Sequence, residues 1–264
     1  MRLLDTAPDP DHNRTVFTFL GPPEAVKCAA FKLTEKALAL IDVEKHEGVH
    51  PFIGAVDVIP FVPIFGMTLK ETVEVARSLG DEIAHDLKVP VYFYGHAALN
   101  PERRELPDVR RGGYQKLKED IVNASRHPDY GEPILHKSGG AVAIGVRDLL
   151  IAFNVNLDSG DLAAAKDIAK AIREKHGGLA GVRAIGVPLE GKGIVQVSIN
   201  ITDHRETTLK EVMDMVSKKA LEKGISVREG EIVGLVPKDA VFPNIKAYLK
   251  LSQFDGKKVL NNYL

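Results

Sequence analysis

Residues 45–66, KHEGVHPFIGAVDVIPFVPIFG, place two histidines directly before a run rich in valine, isoleucine and phenylalanine. Three prolines interrupt this stretch, and proline removes a backbone donor and clashes with the preceding helical turn. We therefore predict a histidine-bearing loop that leads into a buried or edge strand rather than a helix. A histidine on a loop beside a rigid strand is well suited to proton transfer near neutral pH.

The same stretch matches a short zinc-protease signature, because His46, Glu47 and His50 fit the pattern H-E-x-x-H. The signature works only on a helix, where the two histidines share one face. Here Gly48 is central and Pro51 follows the second histidine, and the residue before a proline avoids helical angles. We therefore expect no metal site, and a zinc hydrolase remains a rival reading that metal analysis would decide.

Composition limits the classes of protein to consider. The 264 residues are 44% apolar and 27% charged, with a formal net charge of -1. These values are typical of a globular protein and give no overall basic field for nucleic acid. The single cysteine, Cys28, excludes an internal disulfide and fits the reducing cytoplasm. No signal peptide and no membrane-spanning run is evident, so we expect a cytoplasmic chain without nucleic-acid or membrane partners.

Hydrophobic spacing and turn signals predict alternating strands and helices in two similar halves. The clearest helix predictions are residues 22–44, 68–87, 161–176 and 207–223. Thr68, with Glu71 three positions later, predicts a capping box at the start of the second of these helices. The expected fold class is α+β, an α/β sandwich of mixed sheets covered by helices, with domains at residues 1–140 and 141–264.

Seven short motifs follow one another in a recognisable order: Asn13-Arg14-Thr15-Val16 with Gly21-Pro22-Pro23-Glu24; Val49-His50-Pro51 with Gly54-Ala55 and Asp57-Val58; Val89-Pro90-Val91-Tyr92 with Tyr94-Gly95; Arg103-Arg104-x-Leu106-Pro107; Leu150-Ile151-Ala152-Phe153-Asn154-x-Asn156-Leu157; Gln196-Val197-Ser198-x-Asn200; and Val233-Gly234-Leu235-Val236-Pro237. Together they resemble the formiminotransferase domain of formiminotransferase-cyclodeaminase and the stand-alone glutamate formiminotransferases. The resemblance covers nearly the whole chain, and no counterpart of the cyclodeaminase domain is present.

This resemblance implies two ferredoxin-like lobes, a homodimer, and transfer of a formimino group from N-formimino-L-glutamate to tetrahydrofolate in histidine degradation. Tetrahydrofolate would be the co-substrate, without a metal. The family's catalytic histidine corresponds to His50, a general acid and base. Its folate-binding loop corresponds to ten residues: Gly131, Glu132, Pro133, Ile134, Leu135, His136, Lys137, Ser138, Gly139 and Gly140.

Both substrates of the family carry carboxylates, which arginine binds in a bidentate manner. Arg14, Arg103 and Arg104 are the candidates for this role. An alternative is that these arginines cap helices or pair with neighbouring surface glutamates such as Glu102 and Glu105.

Two departures from the family pattern affect these expectations. The family opens with a strand and a helix before the equivalent of residues 2–5, so we expect the first lobe to be incomplete at its N-terminus. The family also often has arginine after His-Pro, where this chain has Phe52. A non-catalytic folate-binding relative therefore remains a rival to formimino transfer. A glutamate formyltransferase that uses the same site is a second rival, because the two donors differ only by O versus NH.

Overall fold

The computed structural model describes residues 1–10, 12–47 and 51–264, apart from the side chain of Glu190. The chain divides into two compact units. Residues 19–148 and two short N-terminal pieces make up the first unit, and residues 149–264 and two other N-terminal pieces make up the second. Each unit has its own buried core.

Nine strands and seven α-helices lie within the described part of the chain. The strands are β1 (Arg2–Asp9), β2 (Arg14–Leu20), β3 (Val58–Phe61), β4 (Val91–Gly95), β5 (Val142–Val146), β6 (Ile151–Leu157), β7 (Val182–Leu189), β8 (Ile194–Ile201) and β9 (Val227–Val233). The helices are α1 (Pro23–Leu40), α2 (Leu69–Asp86), α3 (Leu106–Val109), α4 (Gly113–Asp120), α5 (Leu162–Ile172), α6 (Leu209–Leu221) and α7 (Ile245–Tyr248).

The first unit contains a three-stranded parallel sheet in the order β3-β5-β4. One face packs its valine, isoleucine and phenylalanine side chains against helices α1 and α2. The other face places Tyr92 and Tyr94 against α3 and α4. Strand β3 is an edge strand, as its prolines predict, because Pro60 lacks the N–H that a central strand needs.

The second unit contains a four-stranded antiparallel sheet in the order β7-β8-β6-β9. With α5 after β6 and α6 after β8, this is the β-α-β-β-α-β order of a ferredoxin-like lobe. Phe153, Val155 and Leu157 lie with both helices in one apolar core. Because side chains alternate along a strand, Asn154 and Asn156 lie on the opposite face of the sheet.

These observations confirm the predicted α+β class with mixed sheets. The capping box on α2 is also confirmed, since the Thr68 hydroxyl accepts the Glu71 N–H and the Glu71 carboxylate accepts the Thr68 N–H. Residues 5–14, rich in proline, aspartate and asparagine, predict a turn, and this prediction is wrong for residues 5–9, which belong to β1. The reason is that β1 pairs only with β2, and a two-stranded ribbon has an open edge that tolerates Pro8.

Candidate active site

The loop that enters β3 is held by a buried carboxylate. The Ile53 N–H donates to Oδ1 of Asp57 at 2.9 Å, and the guanidinium of Arg110 donates to both carboxylate oxygens from the end of α3. Burial raises the pKa of Asp57, while Arg110 opposes that rise by favouring the charged form. This pair fixes the conformation of the residues that directly follow the predicted catalytic histidine.

The predicted folate loop lies directly against this segment. The Ala141 N–H donates to the Ile53 carbonyl at 2.9 Å, and the Ala55 N–H donates to the Gly139 carbonyl at 2.9 Å. Gly54 and Gly140 form an antiparallel bridge between them. The structure therefore brings residues 131–140 to the histidine loop, although about 80 positions separate the two stretches in the sequence.

His136 organises the end of the folate loop from within. Its Nδ1 accepts the Gly139 N–H at 3.0 Å, and its backbone exchanges two hydrogen bonds with Gly140. Burial lowers the pKa of His136, so the neutral ring that can accept this bond is favoured. The backbone carbonyl of Ser138 accepts the Val43 N–H at 2.8 Å. This hydrogen bond ties the folate loop to the segment that follows α1.

The remaining loop residues leave part of the loop open to solvent. Glu132, Ile134 and Lys137 are exposed, and Gly131 adopts a left-handed backbone. Leu135 instead packs into the core cluster behind the two tyrosines of β4. The loop thus has an anchored apolar side and an exposed polar side.

His50 lies outside the described residues, together with Gly48 and Val49. The residues on either side of this gap are well anchored. Asn13 donates its side-chain amide to the Glu47 carbonyl at 2.8 Å. After the gap, Phe52 packs edge-on against His46, with ring centroids 4.5 Å apart, and stacks on Tyr114 at 5.9 Å.

Phe52 therefore has a defined place where the family often has arginine. Its stacking partner Tyr114 donates a hydrogen bond to the Glu44 carboxylate at 2.7 Å, and Lys118 donates to the same oxygen. These two donors lower the pKa of Glu44, with Lys118 contributing most. Phe52 is therefore held between His46 and a tyrosine whose hydroxyl is fixed by Glu44.

The described part of the zinc signature, His46 and Glu47, is not helical. His46 has extended backbone angles and follows a single 3-10 turn, Val43–Lys45, and Glu47 is not helical. Its second histidine, His50, is outside the described residues. Within the described ranges no cluster of three or more histidine, cysteine, aspartate or glutamate side chains is placed to hold a metal ion.

The three candidate arginines occupy different environments. Arg14 is half-buried in β2, and its charge acts on the carboxylate of Asp57. Arg104 is exposed. Arg103 is buried, and its guanidinium donates to Asp129 at 3.0 Å and to the carbonyls of Ser125 and His127.

Four polar residues at this site received no role in the sequence-based prediction: Asp57, Tyr94, Arg110 and Arg147. Burial raises the pKa of Tyr94 to about 12, and the charge of Arg147 opposes that rise. Gly145 lies opposite Tyr94 in the neighbouring strand, and a side chain there would collide with the tyrosine ring. Asp57 and Tyr94 lie in the family motifs, which could have marked them as site residues. No sequence pattern indicates that Arg110 lies beside Asp57 or that Arg147 lies near Tyr94.

No helix in the described part of the chain is long and apolar enough to cross a membrane.

Comparison with known proteins gives a consistent result. Residues 1–147 match the model of the formiminotransferase domain, N-terminal subdomain, and residues 152–258 match the model of the formiminotransferase domain. The glutamate formimidoyltransferase of Streptococcus pyogenes serotype M1 is 39% identical over 99% of this chain and 88% of that protein. The glutamate formimidoyltransferase of Thermoplasma acidophilum is 40% identical over 98% of this chain and 86% of that protein.

A longer relative shows the same similarity. The formimidoyltransferase-cyclodeaminase of Mus musculus is 42% identical over 90% of this chain, a match that covers 45% of that protein. The two family models together match most of the chain. The relatives from Streptococcus pyogenes and Thermoplasma acidophilum are similar over nearly all of it. The resemblance inferred from the seven motifs is therefore confirmed, and the chain belongs to the formiminotransferase family.

Proposed function

We propose that this chain transfers a formimino group from N-formimino-L-glutamate to tetrahydrofolate, which gives glutamate and 5-formiminotetrahydrofolate. The observation that carries the proposal is the identity of 39–40% with two glutamate formimidoyltransferases over 98–99% of the chain. Tetrahydrofolate is then a co-substrate, and no metal takes part. The single cysteine fits the cytoplasm, in which we place the enzyme as a homodimer of two-lobed chains.

The reaction requires proton transfer at two nitrogens. N5 of the folate attacks the formimino carbon and forms a tetrahedral intermediate, from which the glutamate nitrogen leaves. A base must remove the proton from N5, and an acid must protonate the leaving nitrogen. We assign both steps to His50, since a histidine with a pKa near ~6.5 suits them and contributes roughly 10²–10⁴ in rate.

The folate is bound by the loop from Gly131 to Gly140 in this proposal. Its support is that the loop pairs with Ile53 and Gly54, a few residues after His50. The exposed, polar side of the loop, with Glu132 and Lys137, is available to a ligand. Gly140, at its end, allows the close approach of this loop to Ile53 and Gly54.

The substrate carboxylates need cationic partners, and Arg14, Arg103 and Arg104 remain the candidates. The burial of Arg103 and its three hydrogen bonds favour Arg14 and Arg104 for contact with substrate. A KM that rises for formiminoglutamate, with kcat retained, in Arg14→Gln or Arg104→Gln would assign the residue to substrate binding.

The test is a transfer assay with two donors and one acceptor. Purified protein receives tetrahydrofolate together with either N-formimino-L-glutamate or N-formyl-L-glutamate, and glutamate release is measured. We expect turnover with the formimino donor. Turnover with the formyl donor alone would make the enzyme a formyltransferase. Folate binding by calorimetry without turnover of either donor would make it a non-catalytic folate-binding relative, a possibility that Phe52 in place of arginine raises.

A further inference from the structure

The face of the four-stranded sheet that points away from the apolar core of the second unit carries two rows of polar side chains. In the first row, Gln196 on β8, Asn156 on β6 and Glu229 on β9 lie opposite one another across the strands. In the second row, Ser198, Asn154 and Glu231 occupy the same three strands. Gln196 and Asn156 are each only 3% exposed, whereas Glu231 reaches the solvent.

The first row has a fixed hydrogen-bond direction. A carboxylate only accepts, so the side-chain amide of Asn156 must turn its NH₂ to Glu229, which it contacts at 2.9 Å. The Asn156 carbonyl oxygen then accepts from Nε2 of Gln196 at 2.8 Å. Glu229 therefore sets the orientation of both amides, and an inverted Gln196 would place two acceptors against each other.

This direction leaves one acceptor unused. With its nitrogen turned to Asn156, Gln196 presents Oε1 away from that residue, and this buried oxygen has no hydrogen-bond partner among the described residues. A buried acceptor without a hydrogen bond destabilises the folded chain. A group that supplies one N–H to this oxygen would remove that destabilisation on binding.

The charges of the two rows restrict what the ligand can be. Their polar members are two carboxylates, three amides and one hydroxyl, and neither row contains lysine or arginine. A carboxylate ligand would therefore be repelled by Glu229 and Glu231. A group rich in N–H donors, neutral or cationic, would be favoured.

We infer that this polar face is a binding platform for an N–C–N group that donates N–H bonds, with Oε1 of Gln196 as its orienting acceptor. The inference rests on the proposed function, because both substrates named there carry such a group. One is the amidine of N-formimino-L-glutamate, and the other is the 2-amino and N3–H edge of the tetrahydrofolate ring. The glutamate carboxylates of both substrates would bind elsewhere.

Two variants of the full chain test the platform by calorimetry. Gln196→Leu removes the acceptor at nearly constant volume, and Glu229→Gln removes the charge that fixes the direction of the row. Glu222→Gln is the matched control, since Glu222 pairs with Lys219 on the surface beyond α6. Tetrahydrofolate, kept anaerobic, and N-formimino-L-glutamate are titrated separately, and circular dichroism checks that each protein is folded.

We expect Gln196→Leu to weaken one of the two ligands at least about tenfold, with a smaller loss for Glu229→Gln and none for Glu222→Gln. A loss confined to tetrahydrofolate assigns the platform to the ring edge, and a loss confined to formiminoglutamate assigns it to the amidine. Unchanged affinity for both ligands in folded Gln196→Leu overturns the inference, because Oε1 then serves no ligand. If Gln196→Leu is unfolded, unchanged affinity for both ligands in Glu229→Gln overturns the inference instead.

Failure of the inference is distinguishable from failure of the proposed function. Normal transfer and normal affinities in both variants would overturn the platform alone. A wild-type protein that binds its substrates through the platform but releases no glutamate would overturn only the proposed function. A wild-type protein that binds neither ligand would overturn both.

Discussion

Arg110 and Asp57, 53 residues apart in the sequence, form an ion pair in which both side chains are largely buried. Asp57 also accepts the Ile53 N–H, so one carboxylate joins the histidine loop to the end of α3. Burial strengthens the attraction between the two charges. It also means that either charge, left without its partner, would strongly destabilise the folded chain. The conformation of the loop before β3 therefore depends on both partners.

Asp57→Asn should destabilise the protein by about 3–5 kcal/mol, because the Arg110 guanidinium loses its buried partner. The free energy of unfolding in urea measures this. Asp108→Asn is the matched control, since Asp108 pairs with Arg111 on the surface, where the loss should be within about 1 kcal/mol. Equal losses for the two variants would show that burial of the Asp57 pair has no energetic consequence.

His136 should make the stability of the folate loop depend on pH. Its pKa in the folded chain lies below the ordinary value of 6.5, so the unfolded chain binds more protons in the interval between these values. Its contribution is complete above pH 6.5 and is lost as the pH falls through the lowered pKa. Protonation also removes the Nδ1 acceptor for the Gly139 N–H.

His136→Asn keeps a short acceptor at this position but cannot titrate in this range. We expect its melting temperature to fall less steeply than that of the wild type between pH 7 and pH 5. His85→Asn, a change of an exposed histidine on α2, should retain the wild-type slope. Identical slopes for wild type and His136→Asn would contradict the role of His136.

Gly54→Ala should separate the two loops of the candidate site. A Cβ at Gly54 would collide with the carbonyl oxygen of Ala141 and come within 2.5 Å of that of Gly139, and neither backbone atom can rotate away. We expect a loss of roughly 1–3 kcal/mol in stability and weaker folate binding. Gly160→Ala is the control, because the nearest atom there is a carbonyl oxygen at 3.6 Å. If Gly54→Ala keeps wild-type folate affinity, then folate binding does not depend on the contact between the two loops.

Arg103→Lys should lower stability and leave KM unchanged. The guanidinium bonds Asp129 and two carbonyls and lies 5.1 Å from the centroid of Tyr92, a geometry that one ammonium cannot reproduce. We expect a cost of about 3 kcal/mol, from loss of hydrogen bonds to a charged group. Arg104→Lys, at an exposed position, is the control for stability. A raised KM with normal stability in Arg103→Lys would instead assign Arg103 to the substrate carboxylates.

Local chemistry made much of the fold predictable. Thr68 and Glu71 are three positions apart, so their reciprocal capping bonds can be read directly from the sequence. Pro60 likewise predicts an edge strand through its missing N–H. The apolar run at residues 141–158 predicts either a strand pair or one bent strand, and the structure shows two strands, β5 and β6, that belong to different sheets. Hydrophobicity alone does not separate the two strands, because nearly all residues of both are buried.

The candidate site was only partly predictable for a related reason. The seven motifs indicate His50, the folate loop and three arginines through the family resemblance. The partners of Asp57 and Gln196 are set by sheet register and loop closure, which join residues 53 and 40 positions apart. No local pattern records such pairs. The orientation of the Gln196 side-chain amide follows only from the structure, because Glu229 orients Asn156, which in turn orients Gln196.

The most direct test of the account follows the formimino carbon itself. N-formimino-L-glutamate labelled with ¹³C at the formimino carbon is incubated with tetrahydrofolate and the protein, and nuclear magnetic resonance locates the label. We predict one labelled 5-formiminotetrahydrofolate for each glutamate released, and a rate lower by roughly 10²–10⁴ in His50→Ala. Release of glutamate without label on the folate, or equal rates for wild type and His50→Ala, would contradict the account.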